Sequence, residues 1–274
     1  MNTSDADLGG WGRSRLLAIL GAACAAVLVV VVGLVLAVRQ VMSTSDVDAA
    51  QSQAAATIQA VIPQAPGPHR RAAIAGAPML TVAPTAARAG TPATTPAPVI
   101  AVPAPTTTGP AGVPSGLPHT PQGAVAQLAG IDTTVLVGMS ISQAHQVHQA
   151  WSAPGAVPAG QWVMTTNVAA FLAAAGQPGQ TKQAHVAVTA VPVAGQVKGT
   201  DGHDWVLACV LLEVTAVITE EARIAYGHCE PMTWQNNRWV IGPGPAPAAA
   251  PSTWPGTDLA AAAGWATWAT TSTE

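Results

Sequence analysis

The side chains that could do chemistry lie mainly in the C-terminal half of the chain, and Cys209 and Cys229 are the most informative of them. Two β-like runs, 204–218 and 222–234, flank a turn at TEEA, and folding the chain about residue 219 places the two cysteines opposite each other. Opposed residues of paired strands have Cβ atoms about 5 Å apart, which is close to the spacing that a disulfide requires. We therefore predict a Cys209–Cys229 disulfide in an oxidising compartment, with two buried thiols as the alternative.

Glu213 and His203 are the candidates for acid–base chemistry. Glu213 interrupts an apolar strand run, where a concave sheet would bury it, although an outward position on a one-sided sheet is the simpler explanation. His203 lies in the loop GTDGHDW, which could hold Ca²⁺ or an acid–base pair, but a hairpin turn also explains the loop. Together with Trp205, Trp234 and Trp239, these two residues form our candidate pocket or interface, and no residue is predicted to be catalytic.

His145 and His148 are the candidates for a transition-metal site. They lie three residues apart on a predicted helix, so they share a face on which a zinc or copper site could begin. No third ligand follows at a characteristic spacing, and surface histidines are the simpler interpretation. The sequence also lacks Walker, Rossmann, zincin and nucleophile-elbow motifs. We therefore predict no metal, no cofactor and no enzymatic activity.

The elements that would position these residues can be predicted from capping residues and apolar spacing. Three helices are predicted, at 119–130, 140–151 and 165–176. Four β-like runs follow, at 183–195, 204–218, 222–234 and 238–244. Helices followed by strands predict an α+β domain, 116–245, with an antiparallel sheet. The Pro- and Trp-containing tail, 246–274, is expected to pack partly on the domain and to carry a short helix near 258–268.

An uncharged apolar run at 16–38, flanked by arginines, is long enough to cross a bilayer. We predict a transmembrane helix at 15–39, with a head at 1–14 in the cytoplasm because basic residues precede the span. A cleaved signal peptide would have a shorter apolar region, and a lipoprotein at Cys24 would leave a membrane-like run after the lipid. The Pro/Ala/Thr-rich segment 40–115 is predicted to be a tether that places the C-terminal domain outside the cytoplasm.

Charge excludes one class of partner. The 274 residues carry a net charge of −3, and only 8% of them are charged. Because no basic patch is present to neutralise phosphates, we predict that the protein does not bind nucleic acid. The predicted partners are the cytoplasmic membrane and other envelope or conjugation proteins, and a homo-oligomer is left open.

The order of helices and strands resembles the cone-shaped, nuclear transport factor 2-like fold, in which helices pack against the concave face of a curved four-stranded antiparallel sheet. GLPHTPQGAVAQLAG (116–130) is similar to a G-x-x-HT-x-x-GA-x-x-A opening in actinobacterial single-pass membrane proteins associated with mobile and conjugative elements. YGHCEPMTWQNNRWVIGPGP and APSTWPGT, within 226–257, resemble the closing part of the same proteins. An anchor, a tether and such a domain is also the layout of type IV secretion assembly factors. The resemblance implies an extracytoplasmic domain of this fold and supplies no catalytic residue.

We therefore expect a membrane-anchored, non-enzymatic scaffold or assembly subunit of a cell-envelope machine, of the conjugation or type IV secretion kind. An extracytoplasmic small-ligand-binding or sensory module is the first alternative, and a deep apolar pocket with convergent polar groups would favour it. A cone-fold enzyme using Glu213 or His203 is the second, and Glu213 on the convex face would remove its best candidate.

Overall fold

The protein is built around a six-stranded sheet, and the structure, a computed structural model, describes residues 63 and 65–271. Along the chain the helices and strands are α1 Pro68–Gly76, β1 Val99–Pro103, β2 Thr107–Thr108, β3 Pro114–Ser115, α2 Pro121–Gly138, α3 Ile141–Trp151, α4 Val163–Ala174, β4 Ala187–Thr200, β5 Trp205–Val217, β6 Glu221–Gln235, β7 Arg238–Ile241, α5 Asp258–Ala262 and β8 Ala266–Thr271. The main sheet has the order β1-β8-β4-β5-β6-β7, while β2 and β3 form a separate ladder. Neighbours in the main sheet are antiparallel except β1 and β8, which are parallel.

The three predicted helices and the four predicted strands are present, and their ends have clear local causes. α2 begins after Thr120, whose hydroxyl accepts a hydrogen bond from the Gly123 N–H, and α3 begins after Ser140, which caps its helix in the same way. β6 and β7 are joined by Asn236 and Asn237, which have φ values of 49° and 60°. Two-residue hairpin turns favour such positive φ values, which asparagine tolerates better than most residues.

The inner face of the sheet, on which α2, α3 and α4 pack, carries the main core. Alternate residues of β5, from Val206 to Val214, point to this side. The helices and neighbouring loops bury large side chains against them, including Leu128, Ile131, Trp151, Trp162 and Met164. Register shifts in β4, one between Pro192 and Ala194, mark bulges that help the sheet to curl around the helices.

The outer face of the sheet is covered mainly by irregular segments. Leu207 packs with Ile74 of α1 on this side, and Cys209 packs with Trp265 of the tail. The tail crosses β6 at close range beside Gly227, where an added Cβ atom would lie 2.9 Å from the carbonyl oxygen of Pro251. The sheet is therefore buried on both faces in its centre.

The α+β class is confirmed, but the prediction of a four-stranded antiparallel sheet is wrong, because the sheet has six strands and one parallel pair. The additional strands, β1 and β8, come from the stretches predicted to be the tether and the tail, and α1 also lies in the predicted tether. β1 is five residues long and ends at Pro103, so it shows no alternating pattern that would mark a strand. It reaches the sheet only through β8, which itself joins β4 at Ala266 and Thr267.

The predicted transmembrane helix at 15–39, the head at 1–14 and Cys24 lie outside the described residues. Within residues 63 and 65–271, no helix combines the length and the apolarity needed to cross a bilayer.

Candidate functional site

Cys209 and Cys229 face each other across β5 and β6 and form the predicted disulfide, with their sulfur atoms 1.97 Å apart. Both residues are buried on the outer face. Met79, in the segment after α1, lies over the bond, with its sulfur 3.8 Å from Cys229 Sγ. The disulfide thus joins the neighbouring strands β5 and β6 directly beneath the segment that follows α1.

Glu213 and Trp205, two of the candidate pocket residues, also lie on the outer face. The Glu213 carboxylate pairs with the guanidinium of Arg223, which stands 5.5 Å from the centre of the Trp254 ring. Trp205 is 2% exposed and packs against α1. Neither residue contacts the inner face, so their positions do not support Glu213 as an acid or base in a concave pocket.

The other three candidates, His203, Trp234 and Trp239, meet around His119. The imidazole of His119 stacks on Trp234 with ring centroids 4.3 Å apart and an interplanar angle of 10°, and it lies 5.5 Å from the Trp239 ring. Its Nε2 atom is 2.8 Å from Asp204 Oδ1 and 3.1 Å from the carbonyl oxygen of His203. We call His119, His203, Asp204 and Trp234 the His119 surface.

Hydrogen bonds of the neighbouring segments support this surface. The backbone N–H of Trp234 donates to the Asp204 carbonyl oxygen at 2.9 Å, which ties the start of β5 to the end of β6. Trp239 is fully buried beneath the stacked rings, and its indole N–H donates to the carbonyl oxygen of Pro118 at 3.0 Å. The side chain of His119 remains 36% exposed and that of Asp204 69% exposed. The half-exposed rings of His119 and Trp234 therefore lie over a buried tryptophan, Trp239.

A second polar group lies on the inner face, and we call its three residues, Asp132, His228 and Glu230, the buried charge cluster. All three are buried. His228 Nδ1 lies 2.9 Å from Asp132 Oδ2, and His228 Nε2 lies 3.3 Å from Glu230 Oε1. The alternation of β6 points Tyr226, His228 and Glu230 to the same face, and α2 brings Asp132 over them.

Aromatic side chains close over the cluster. The indole N–H of Trp162 donates to Glu230 Oε1 at 2.8 Å, and Trp162 is itself fully buried. The hydroxyl of Tyr226 accepts a hydrogen bond from Asn167 Nδ2 at 2.7 Å. His148 lies against Trp162, with ring centroids 5.1 Å apart. The cluster is therefore enclosed by α3, α4 and the sheet.

Burial and mutual attraction oppose each other in the titration of this cluster. Burial raises the pKa of Asp132, and the nearby His228 cancels only part of the rise. Burial alone would lower the pKa of His228, but Asp132 and Glu230 outweigh it and raise that pKa to about 10. We therefore assign the proton near neutral pH to His228, between two carboxylates. Burial lowers the pKa of His148, with Glu230 opposing the shift, so His148 is neutral near pH 7.

An imidazolium between two carboxylates could transfer protons, and both of its carboxylate partners are buried with it. Two depressions on the surface of the described residues are lined by 83–92 with Leu259 and by 77–80 with Lys198, and neither includes a residue of the cluster. In the part of the chain that the structure describes, no three His, Cys, Asp or Glu side chains are arranged to hold a metal ion.

Sequence reasoning alone does not identify Asp132, Glu230 or His119 as site residues. Part of the signal is nevertheless present, because Asp132 is the only charged residue of an 18-residue helix. His228 and Glu230 also share strand parity, which places two ionisable groups on one face of an otherwise apolar sheet. Their meeting with Asp132 joins positions 96 residues apart, and local patterns do not encode it.

Comparisons with protein-family models, with curated proteins and with solved structures found no match to this chain. The function is therefore inferred from the residues and their geometry, and the family resemblance stays a prediction.

Proposed function

We propose that the folded part of this chain is a non-enzymatic interaction domain that acts outside the cytoplasm and binds a protein partner through the His119 surface. One observation carries the proposal: the half-exposed pair of His119 and Trp234 is held by Asp204 and stands on buried Trp239. Aromatic residues are enriched at protein interfaces, and Trp is prominent among binding hot spots. Side chains that are fixed before binding lose little conformational entropy when a partner docks.

The disulfide supports the location. Disulfides persist in oxidising compartments and are rare in the reducing cytoplasm, so Cys209–Cys229 favours an extracytoplasmic domain. The sequence resemblance suggests the class of partner, which is a component of a conjugation or type IV secretion machine or another envelope protein. The domain then acts as a scaffold or assembly subunit of that machine.

A ligand-binding or sensory role has one observation in its favour, because Asp132 Oδ1 is buried and has no hydrogen-bond partner among the described residues. Asp132 is fully buried, and Trp162 and Tyr226, which lie beside the cluster, make hydrogen bonds of their own, so a ligand would have to open packed structure to reach this atom. The His119 surface needs no such rearrangement, since its rings are already partly exposed. We therefore favour the interaction domain.

The test is photo-crosslinking in cells of the native host, with a photoreactive amino acid at His203, an exposed residue whose backbone carbonyl, not its side chain, contacts His119. We expect a crosslinked envelope or conjugation protein, and we expect Trp234→Ala or His119→Ala to reduce the yield roughly tenfold, as loss of a hot spot would. Val191→Ala is the control, because Val191 is 55% exposed on β4 and lies outside the His119 surface.

Unchanged crosslinking by folded Trp234→Ala protein would contradict the proposed surface. A crosslink only to a second copy of the chain would assign the surface to a homo-oligomer instead. Far-UV circular dichroism of each variant separates a lost contact from a lost fold.

A further inference from the structure

Two threonine–proline clusters flank β1, and only the structure distinguishes them. TPATTPAP occupies 91–98, and APTTT occupies 104–108. Segments rich in Ser or Thr with Pro are typical of chains that carry O-linked sugars. By composition, both clusters qualify.

Thr94 and Thr95 lie in an exposed bend that is held at both ends. The Ala93 N–H donates to a tail carbonyl oxygen at 2.9 Å, and the Pro98 carbonyl oxygen accepts from a β8 N–H at 2.7 Å. Neither threonine hydroxyl makes a hydrogen bond within the described residues, and Pro96 favours an extended backbone at Thr95. The two hydroxyl groups are therefore free and accessible on a presented loop.

The second cluster is engaged in structure. Thr106 Oγ1 donates to the Gly116 carbonyl oxygen at 2.9 Å. Thr107 and Thr108 pair with β3. An enzyme that must hold the acceptor backbone would have to open this ladder first, so the second cluster is a composition-matched control for the first.

We propose that Thr94 and Thr95 are sites of O-linked glycosylation by hexose, added outside the cytoplasm; the inference thus depends on the location in the proposed function. The sugar donor is a lipid-linked glycosyl phosphate, used by a glycosyltransferase of the host. The threonine Oγ1 forms a bond to the anomeric carbon, and the bond between that carbon and the phosphate oxygen breaks. The electron pair leaves with the phosphate, and the hydroxyl proton passes to a base of the transferase.

The neighbouring sheet edge gives the modification a physical role. β1 pairs only with β8, so its other edge is unpaired in the main sheet, and Val99 on it is 67% exposed. Unpaired strand edges invite association with other chains, and proteins commonly cover them. A bulky, polar sugar at Thr95, four residues before Val99, would shield this edge.

The test is intact-mass measurement of the full chain purified from the native host, followed by peptide fragmentation that preserves O-linked sugars. We expect whole hexose increments on the peptide containing Thr94 and Thr95. The double variant Thr94→Ala, Thr95→Ala should lose all of that added mass, while Thr107→Ala, Thr108→Ala should keep it.

The same spectra report the Cys209–Cys229 bond, so the two proposals can fail separately. A chain with the disulfide but without added hexose overturns the glycosylation sites and leaves the location standing. Hexose on Thr107 or Thr108 and not on Thr94 or Thr95 also overturns the assignment. A chain that is both reduced and unmodified contradicts the location as well.

Discussion

The two faces of the sheet are covered in different ways. The inner face is covered by α2, α3 and α4, whose backbone hydrogen bonds are largely internal and whose large side chains fill the space. The outer face is covered by α1, by the following segment and by the tail, 246–265, most of which is irregular. A buried irregular segment must find partners for its own N–H and C=O groups, which a helix does not need.

We call α1, the segment that follows it and the tail, 246–265, the outer cover. Its buried N–H and C=O groups are paired by individual hydrogen bonds. The indole N–H of Trp265 donates to the Pro251 carbonyl oxygen at 3.0 Å, and the backbone N–H of Trp254 donates to the Ala86 carbonyl oxygen at 2.6 Å. Segments poor in large apolar side chains can therefore cover a sheet when a few donors fix their backbone. We expect the stability of the inner face to depend on the buried charge cluster and on side-chain packing. We expect the stability of the outer cover to depend on individual hydrogen-bond donors.

The largest effect is expected on the inner face, from Asp132→Ala. This change leaves the His228 imidazolium buried with only Glu230 as a partner, and breaking a buried pair in this way costs about 3–5 kcal/mol. The free energy of unfolding, measured by urea denaturation of the oxidised protein, should fall by that amount.

Glu213→Ala is the outer-face control for this prediction. It removes the carboxylate from a pair whose Arg223 side chain is 49% exposed, so solvent can replace the lost contact. We expect little change in the unfolding free energy. Equal losses in the two variants would contradict the contrast between enclosed and exposed ion pairs.

The inner face is also the part that the sequence predicts well. The capped apolar helices and the β-like runs each have a local signal. On the outer face, the disulfide has a local signal too, because the mirror positions of Cys209 and Cys229 about one turn identify their pairing. His228 and Glu230 are two residues apart on one strand, so the sequence predicts that they face the same side of the sheet. This accounts for two of the three members of the buried charge cluster. Asp132 completes it only through tertiary packing, which a local pattern does not contain.

The outer cover was not predictable in the same way. Its Pro/Ala/Thr-rich sequence is typical of a tether, because such a composition offers little apolar area to offset the entropy of ordering. What holds it are bonds between distant positions, such as the Lys198 ammonium to the Ala75 carbonyl oxygen at 3.2 Å and Arg71 to Asp201 at 2.6 Å. Amino-acid composition does not show which distant acceptor a hydrogen-bond donor will pair with in the folded protein.

A smaller effect is expected in the outer cover, from Trp265→Phe. The change keeps an aromatic ring but removes the N–H that satisfies the Pro251 carbonyl oxygen, and an unsatisfied buried acceptor costs about 1–3 kcal/mol. The unfolding free energy in urea should fall accordingly. Trp268→Phe is the matched control, since its indole N–H bonds to Thr270 at an exposed site and its loss should matter little. If both variants keep full stability, the tail is not held by this donor.

The smallest step is expected in the pH dependence of the unfolding free energy, counted per pH unit. It comes from the titration of His228 on the inner face. The pKa of His228 in the folded protein, about 10, lies above its ordinary value of 6.5, so folding strengthens proton binding. The resulting stabilisation is fully present below about pH 6.5 and is lost as the pH rises through about 10. We expect the free energy of unfolding to fall between about pH 7 and pH 9 by at most ~1.4 kcal/mol per pH unit.

His228→Gln separates this effect from every other titration in the chain, because it removes the imidazolium and keeps a side chain that can donate a hydrogen bond to Asp132. The variant should be less stable near pH 7, and its unfolding free energy should change less than that of the wild type between about pH 7 and pH 9. Parallel pH profiles would mean that the shared proton does not reside on His228. Asp132, whose pKa burial raises, would then hold it, and the cluster would be a neutral hydrogen-bonded pair beside Glu230 rather than an enclosed ion pair.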